Sequence, residues 1–96
     1  MKIQPQFAIT NEHLDDGVKS VTVIGPSSAT LSHDEIVKSG TKFRLFDGDG
    51  ELAFEGVFVG DAGSEDAFLP LDCFGEPSAG CTRIDYHVGQ NRYETL

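Results

Sequence analysis

The chain has 96 residues, of which 39% are hydrophobic and 24% charged, and its formal net charge at pH 7 is −9. This length allows one compact domain and excludes a second, and the negative charge argues against direct binding to nucleic acid or to an anionic membrane. No run of about 18 apolar residues exists, and residues 1–10 lack the apolar stretch of a secretory signal, so we expect a soluble, cytoplasmic protein.

The first part of the chain contains two strand patterns. Residues 2–10 predict an edge strand, because the central Pro5 has no N–H to donate and is tolerated at the edge of a sheet. Residues 11–17 are consistent with either a loop or one helical turn. The β-branched run 21–24 predicts a short strand that ends at a Gly-Pro pair.

Residues 32–40 predict a helix of two turns. Ser32 and Glu35 have the spacing of a capping box, in which each side chain bonds a backbone N–H of the first turn. Lys38 and Gly40 are typical of a helix end.

The clearest local pattern is a β-hairpin over residues 42–59, in which two apolar-rich runs flank the sequence Asp-Gly-Asp-Gly at 47–50. Asp-Gly pairs favour tight two-residue turns, because glycine adopts positive φ without steric cost. Gly48 and Gly50 are therefore both predicted to have positive φ.

Two registers are open for this hairpin: Leu45 pairs with Phe54 if the turn is at 49–50, and with Leu52 if the turn is one residue earlier. The alternation predicts a core side made of Phe43, Leu45, Leu52, Phe54 and Phe58, and an opposite side that carries Glu51, Ala53 and Glu55. Val57 and Val59 share the acidic side, so the base of the hairpin is predicted to be covered on both faces.

The C-terminal half continues with helical and strand patterns. Residues 64–74 predict two short helical turns, the second opened by Pro70. Residues 81–87 and 92–96 predict a second hairpin around the turn 88–91. The fold class is therefore α+β: one domain with a mostly antiparallel sheet of two hairpins and an N-terminal strand, together with one or two short helices.

No metal or cofactor site is expected. The sequence from Asp47 to Glu51 begins like a calcium loop, but Leu52 and Phe58 stand where that loop needs glycine and glutamate. The candidate zinc ligands lack finger or ribbon spacing; they are His13, His33, Cys73, Cys81 and His87.

No nucleophile signature is present either, so the protein is expected not to be an enzyme. His87 and Asp85 are available as base and orienting acid, but no elbow or oxyanion sequence surrounds Cys73 or Cys81. Two cysteines are too few for a disulfide scaffold, and both are expected to remain thiols.

The charge is concentrated in residues 45–82, which contain no Lys or Arg and carry the candidate partner-binding residues Asp47, Asp49, Glu51, Glu55, Asp61, Glu65, Asp66, Asp72 and Glu76. Such a stretch attracts basic protein surfaces. Alternate residues of a strand place charges about 6.6 Å apart, whereas one DNA strand carries a phosphate every 3.4 Å or so. A surface that imitates DNA would therefore need the hairpin acids and those of neighbouring elements together.

Residues 43–56, 70–75 and 79–86 resemble a group of small uncharacterised acidic proteins of bacteria, phages and mobile elements. The resemblance implies no catalytic residues. Small acidic products of mobile elements often resemble anti-CRISPR or anti-restriction inhibitors, many of which compete with DNA for a basic groove.

Two functional hypotheses follow. The first is an inhibitor that blocks the basic nucleic-acid-binding surface of another protein, such as a CRISPR effector, by charge mimicry. The alternative is an accessory or structural interaction domain whose acidity serves only solubility.

Overall fold

A computed structural model describes residues 4–13, 17–61 and 63–96 of the chain. Its strands are β1 (Gln6–Glu12), β2 (Lys19–Gly25), β3 (Thr41–Asp47), β4 (Leu52–Val59), β5 (Cys81–Gly89) and β6 (Arg92–Thr95). They form one six-stranded antiparallel sheet in the order β2-β1-β4-β3-β5-β6. The helical elements are α1 (His33–Ser39), a 3₁₀ turn (Glu65–Phe68), a π-helical turn (Leu71–Gly75) and α2 (Glu76–Ala79). An antiparallel sheet with separate short helices confirms the expected α+β class in outline.

The N-terminal strand is an interior strand, bonded to β2 on one side and β4 on the other, which corrects the edge strand expected over residues 2–10. Pro5 precedes β1, so its missing N–H interrupts no strand pairing. Residues 1–3 and 14–16 lie outside the described residues. Part of the segment 11–17, predicted as a loop or a helical turn, therefore cannot be compared, and its first two residues belong to β1.

Helix α1 confirms the predicted capping box. The Ser32 hydroxyl accepts the Glu35 N–H at 3.2 Å, and the Glu35 carboxylate accepts the Ser32 N–H at 3.0 Å. The Ser32 N–H and then the Ser32 hydroxyl lower the pKa of Glu35, because both stabilise the charged carboxylate.

The β3–β4 hairpin is confirmed, but its turn is not of the predicted two-residue kind. The Gly50 N–H donates to the Asp47 carbonyl at 3.0 Å, and Gly50 has φ of 81° whereas Gly48 does not have positive φ. The Asp47 carboxylate also accepts the N–H groups of Asp49 and Glu51, at 2.9 and 3.0 Å. Because this side chain closes the turn, three residues are accommodated and only Gly50 needs the left-handed conformation.

A bulge in β4 changes the predicted faces of the hairpin. Phe46 pairs with Leu52 beside the turn, whereas Leu45 pairs with Phe54, the first of the two predicted registers. Ala53 is the extra residue between these pairs and is 1% exposed in the main core. The predictions that Ala53 lies on the acidic side and that Leu52 lies on the core side are therefore wrong, since Leu52 is only partly buried and is outside the larger cluster.

Hydrophobic clusters lie on both faces of the sheet. The larger cluster includes Phe7, Ile9, Phe43, Leu45, Phe54, Phe58, Leu71, Ile84 and Tyr86. The smaller cluster lies under α1, where Ile36 packs with Ala8, Val57 and Val59. This packing confirms that the base of the β3–β4 hairpin is covered on both faces.

Residues 60–80, called the connection below, cover the larger cluster. The predicted pair of short helical turns is confirmed, and Pro70 immediately precedes the second. The Tyr86 hydroxyl donates to the Ala67 carbonyl at 2.6 Å, which fixes the connection to the sheet. The second predicted hairpin, β5–β6, is also confirmed, and its turn residues Gln90 and Asn91 have positive φ.

Candidate protein-binding surface

Seven of the nine candidate acids lie exposed on one part of the molecule. Asp49 and Glu51 occupy the tip of the β3–β4 hairpin. The connection carries the other five, which are Asp61, Glu65, Asp66, Asp72 and Glu76. These seven residues are called the free carboxylates below.

The amphipathic pattern of the connection explains why its acids point outward. Ala67 and Leu71 are buried, and Phe74 packs edge-on against Phe54 with ring centroids 4.7 Å apart. The polar residues between them are left on the solvent side. Local hydrogen bonds fix the backbone here, because the Ser64 hydroxyl caps the 3₁₀ turn by accepting the Asp66 N–H at 3.2 Å.

The free carboxylates make no ion pair within residues 4–13, 17–61 and 63–96. Three other acids, Glu55, Asp85 and Glu94, form ion pairs, whereas Glu12, Asp34 and Glu35 form none within the described residues. Asp85 contacts Arg83 at 3.1 Å, and Glu94 contacts Arg92 at 3.4 Å. Of the eleven described acids without an ion pair, seven therefore lie on the hairpin tip and the connection.

Two of the nine acids do not belong with the others. Asp47 is partly buried, and its carboxylate is engaged within the hairpin turn. Glu55 points to the opposite face of the sheet, where it lies 2.6 Å from His13 and 3.7 Å from Arg44. The sequence placed Glu55 correctly on the side of Val57. Arg44 lies directly opposite it in the same hairpin, whereas His13, just after β1, is distant in sequence.

The free carboxylates extend along the length of the β3–β4 hairpin. The connection leaves the base of this hairpin after β4 and returns to its tip, where Cys81 pairs with Asp47. Strand β4 has eight residues and the molecule is 41 Å in its longest dimension. The free carboxylates are therefore distributed from the base of the hairpin to its tip, a strand length of about 26 Å.

The other face of the sheet is only half covered by α1, and sequence analysis did not single out the remainder. A groove of about 560 Å³ lies there between α1 and the β5–β6 turn. Its lining includes Lys42, Arg44, Glu55, Val57, His87 and Tyr93. The sequence of β3 indicates this basic face, since Lys42 and Arg44 flank the core residue Phe43 and alternation places both on the opposite side of the strand. This feature is called the open-face groove below.

The histidines and cysteines do not converge. Within the described part of the chain, no three His, Cys, Asp or Glu residues are placed to hold a metal ion. Cys73 is exposed on the connection and Cys81 is buried, both as free thiols, whereas His87 lies on the opposite face of the sheet. Burial, together with the nearby charge of Asp47, raises the pKa of Cys81 to about 11.

Comparisons with known proteins identify no relative. No protein-family model, no curated protein and no solved structure matches the chain. In the portions of the chain described, no helix is both long and apolar enough to cross a membrane.

Proposed function

We propose that this protein is a non-enzymatic inhibitor of the anti-CRISPR or anti-restriction type. Its free carboxylates dock on the basic nucleic-acid-binding surface of a host protein and exclude DNA or RNA from it. The observation that carries this proposal is that the acids of the connection and hairpin tip are exposed and unpaired, while Glu55, Asp85 and Glu94 are paired.

Unpaired like charges repel one another, and this repulsion opposes the compact state. A basic partner relieves the repulsion on binding and is steered to the acidic surface by long-range attraction. An acidic domain that only had to remain soluble would gain as much from carboxylates scattered over all its surfaces. The concentration of the free carboxylates therefore favours a binding role.

The scaffold presents these charges from a rigid base. The connection is fixed to the sheet by the hydrogen bond from Tyr86 to Ala67 and by the contact of Phe74 with Phe54. Holding the acids on ordered turns lowers the entropy lost when a partner binds. Because they lie on the hairpin tip and on the connection that returns to it, one basic groove can engage several of them together.

The test compares two triple variants with the same change in net charge. The first, Glu65→Gln with Asp66→Asn and Asp72→Asn, neutralises free carboxylates of the connection. The matched control, Glu12→Gln with Asp34→Asn and Glu94→Gln, neutralises acids elsewhere. The assay measures target-DNA binding and cleavage by a panel of CRISPR effectors with their guide RNAs and of restriction enzymes.

We expect the parent to inhibit at least one enzyme of the panel. The connection triple should raise the inhibitory concentration at least tenfold, and the control triple less than twofold. Raising the salt concentration should weaken inhibition by the parent more than inhibition by the connection triple. The variant has three fewer carboxylates whose attraction to the partner salt can screen. An equal effect of both triples would show that the position of the neutralised acids does not matter for inhibition. That result would favour the accessory-domain alternative. If the parent inhibits no enzyme of the panel, the proposal is wrong.

A further inference from the structure

The open-face groove concentrates positive charge in an acidic protein. Its floor is formed by β3 and β4, one wall by α1 and the other by the β5–β6 hairpin. Lys42 and Arg44 are alternate residues of β3 that point to this face, so their backbone positions are about 6.6 Å apart. These are two of only seven Lys and Arg residues in the chain.

The hydrogen-bonding capacity of both cations is largely unused. Lys42 makes no ion pair to any residue that the structure describes. The Nε atom of Arg44 is buried and has no hydrogen-bond partner among the described residues, where the carboxylate oxygen of Glu55 is 3.7 Å away. The Arg44 side chain as a whole is 40% exposed, so other parts of it remain accessible to an acceptor supplied by a ligand.

The Arg44 side chain is nevertheless held in place. Its guanidinium carbon lies 4.0 Å from the centroid of the Tyr93 ring, a cation–π contact. Tyr93 is in turn packed edge-on against His87, with ring centroids 5.3 Å apart. A cation that is already ordered loses less side-chain entropy when it binds an anion.

The charges of the groove limit the ligand to a small anion. Lys42, Arg44 and Glu55 together leave one net positive charge, which suits one carboxylate. The rest of the molecule is strongly negative, with a net charge of −9 for the whole chain. That field repels each additional negative group, so a polyanion such as a nucleic acid is disfavoured.

The groove also offers apolar surface for the body of a ligand. Val37 on α1 and Val57 on β4 line it, opposite the rings of His87 and Tyr93. Its volume of about 560 Å³ falls within the usual range for small-molecule sites. We propose that the open-face groove binds a small organic carboxylate, with the carboxylate between Lys42 and Arg44 and an apolar body against Val57 and Tyr93. This site is independent of the proposed inhibitory surface, because it lies on the other side of the sheet.

The test is an NMR titration of the full chain with benzoate, using benzamide as the uncharged probe of the same shape. Benzoate should shift the backbone amide signals of β3 and of the β5–β6 hairpin in a saturable way, with a Kd of about 1 mM, as expected for so small a ligand. Benzamide should bind at least tenfold more weakly. Phenyl phosphate and a ten-nucleotide single-stranded DNA serve as competing ligand classes.

Three variants separate recognition from general structural effects. Lys42→Gln should weaken benzoate binding at least fivefold, whereas Arg92→Gln, which removes a cation outside the groove, should change it less than twofold. Glu55→Gln removes the carboxylate that competes for Arg44 and should strengthen binding severalfold, a direction that structural damage would not produce. The dispersion of the amide spectrum checks the fold of each variant.

The proposal is overturned if the benzoate shifts do not saturate or if benzamide produces the same shifts. It is also overturned if Lys42→Gln has no effect or Glu55→Gln weakens binding. Binding of phenyl phosphate or of the DNA more tightly than benzoate would reject a carboxylate in favour of those ligand classes.

Discussion

The two sides of the sheet contain similar charged residues in opposite arrangements. On the side covered by the connection, the acids Asp61 to Glu76 are exposed and lack ion pairs within the described residues. On the open face, Glu55 is paired with His13 and Arg44, and Asp85 with Arg83. Acids of the first kind are available to a partner, whereas acids of the second kind stabilise the fold. Net charge alone does not distinguish the two.

The largest difference between the two sides is expected in the stability lost when an aromatic side chain is removed. Phe58 is fully buried under the connection, with its ring centroid 5.8 Å from that of Tyr86, so Phe58→Ala should lower the free energy of unfolding by about 3–5 kcal/mol. Tyr93 on the open face is only partly buried, and Tyr93→Ala should cost about 1 kcal/mol. Urea denaturation measures both values. Equal costs would mean that the open face is covered in solution.

The next largest difference is expected between the stability change on neutralising a paired acid and that on neutralising a free carboxylate. Asp85 is 9% exposed and accepts hydrogen bonds from Thr95 at 2.8 Å and Arg83 at 3.1 Å, so Asp85→Asn should destabilise the protein by about 1–2 kcal/mol. Asp49→Asn should change stability by less than about 0.5 kcal/mol and be stabilising at low salt, because it removes repulsion among the free carboxylates.

Thermal unfolding at 20 mM and 500 mM NaCl provides the comparison between these two variants. If Asp49→Asn destabilises as much as Asp85→Asn, the distinction between free and paired acids does not hold.

The smallest expected effect is at the hairpin tip that carries Asp49 and Glu51. Gly50→Ala should cost about 1 kcal/mol, since alanine is strained at φ of 81°, although there is open space for its side chain. Gly48 does not have positive φ, and a Cβ added there would contact no atom. Gly48→Ala should therefore lower the free energy of unfolding by less than about 0.5 kcal/mol. Chemical denaturation of the two variants side by side measures the difference. A larger cost at Gly48 would contradict the observed three-residue turn.

Much of the fold could be predicted because its signals are local. The capping box of α1, the two hairpins and the short turns around Pro70 each depend on residues close together in sequence. The bulge at Ala53 and the interior position of β1 could not be predicted in this way. The position of β1 depends on its pairing with the distant strand β4. The bulge lies within the local β3–β4 hairpin, but alternation alone does not show that one extra residue moves Ala53 into the core.

The same division applies to the candidate site. Sequence was sufficient to find the acids of the connection, because Ala67 and Leu71 set the face that is buried. It was not sufficient for the contact of Glu55 with His13, which is distant in sequence, whereas Arg44 faces Glu55 within the same hairpin. Excess charge can be counted in a sequence, but ion pairing between distant residues requires the tertiary structure.

The interior position of β1 also has a consequence for biosynthesis. A ribosome makes β1 first, but the strand that pairs with its inner side, β4, ends only at Val59. Until then Phe7 and Ile9 lack most of the residues that bury them in the native protein. The nascent chain can form the β1–β2 pair early. The side of β1 that later pairs with β4 then remains an unpaired sheet edge. Docking of the β3–β4 hairpin against β1 is therefore the step that encloses the N-terminal half of the core.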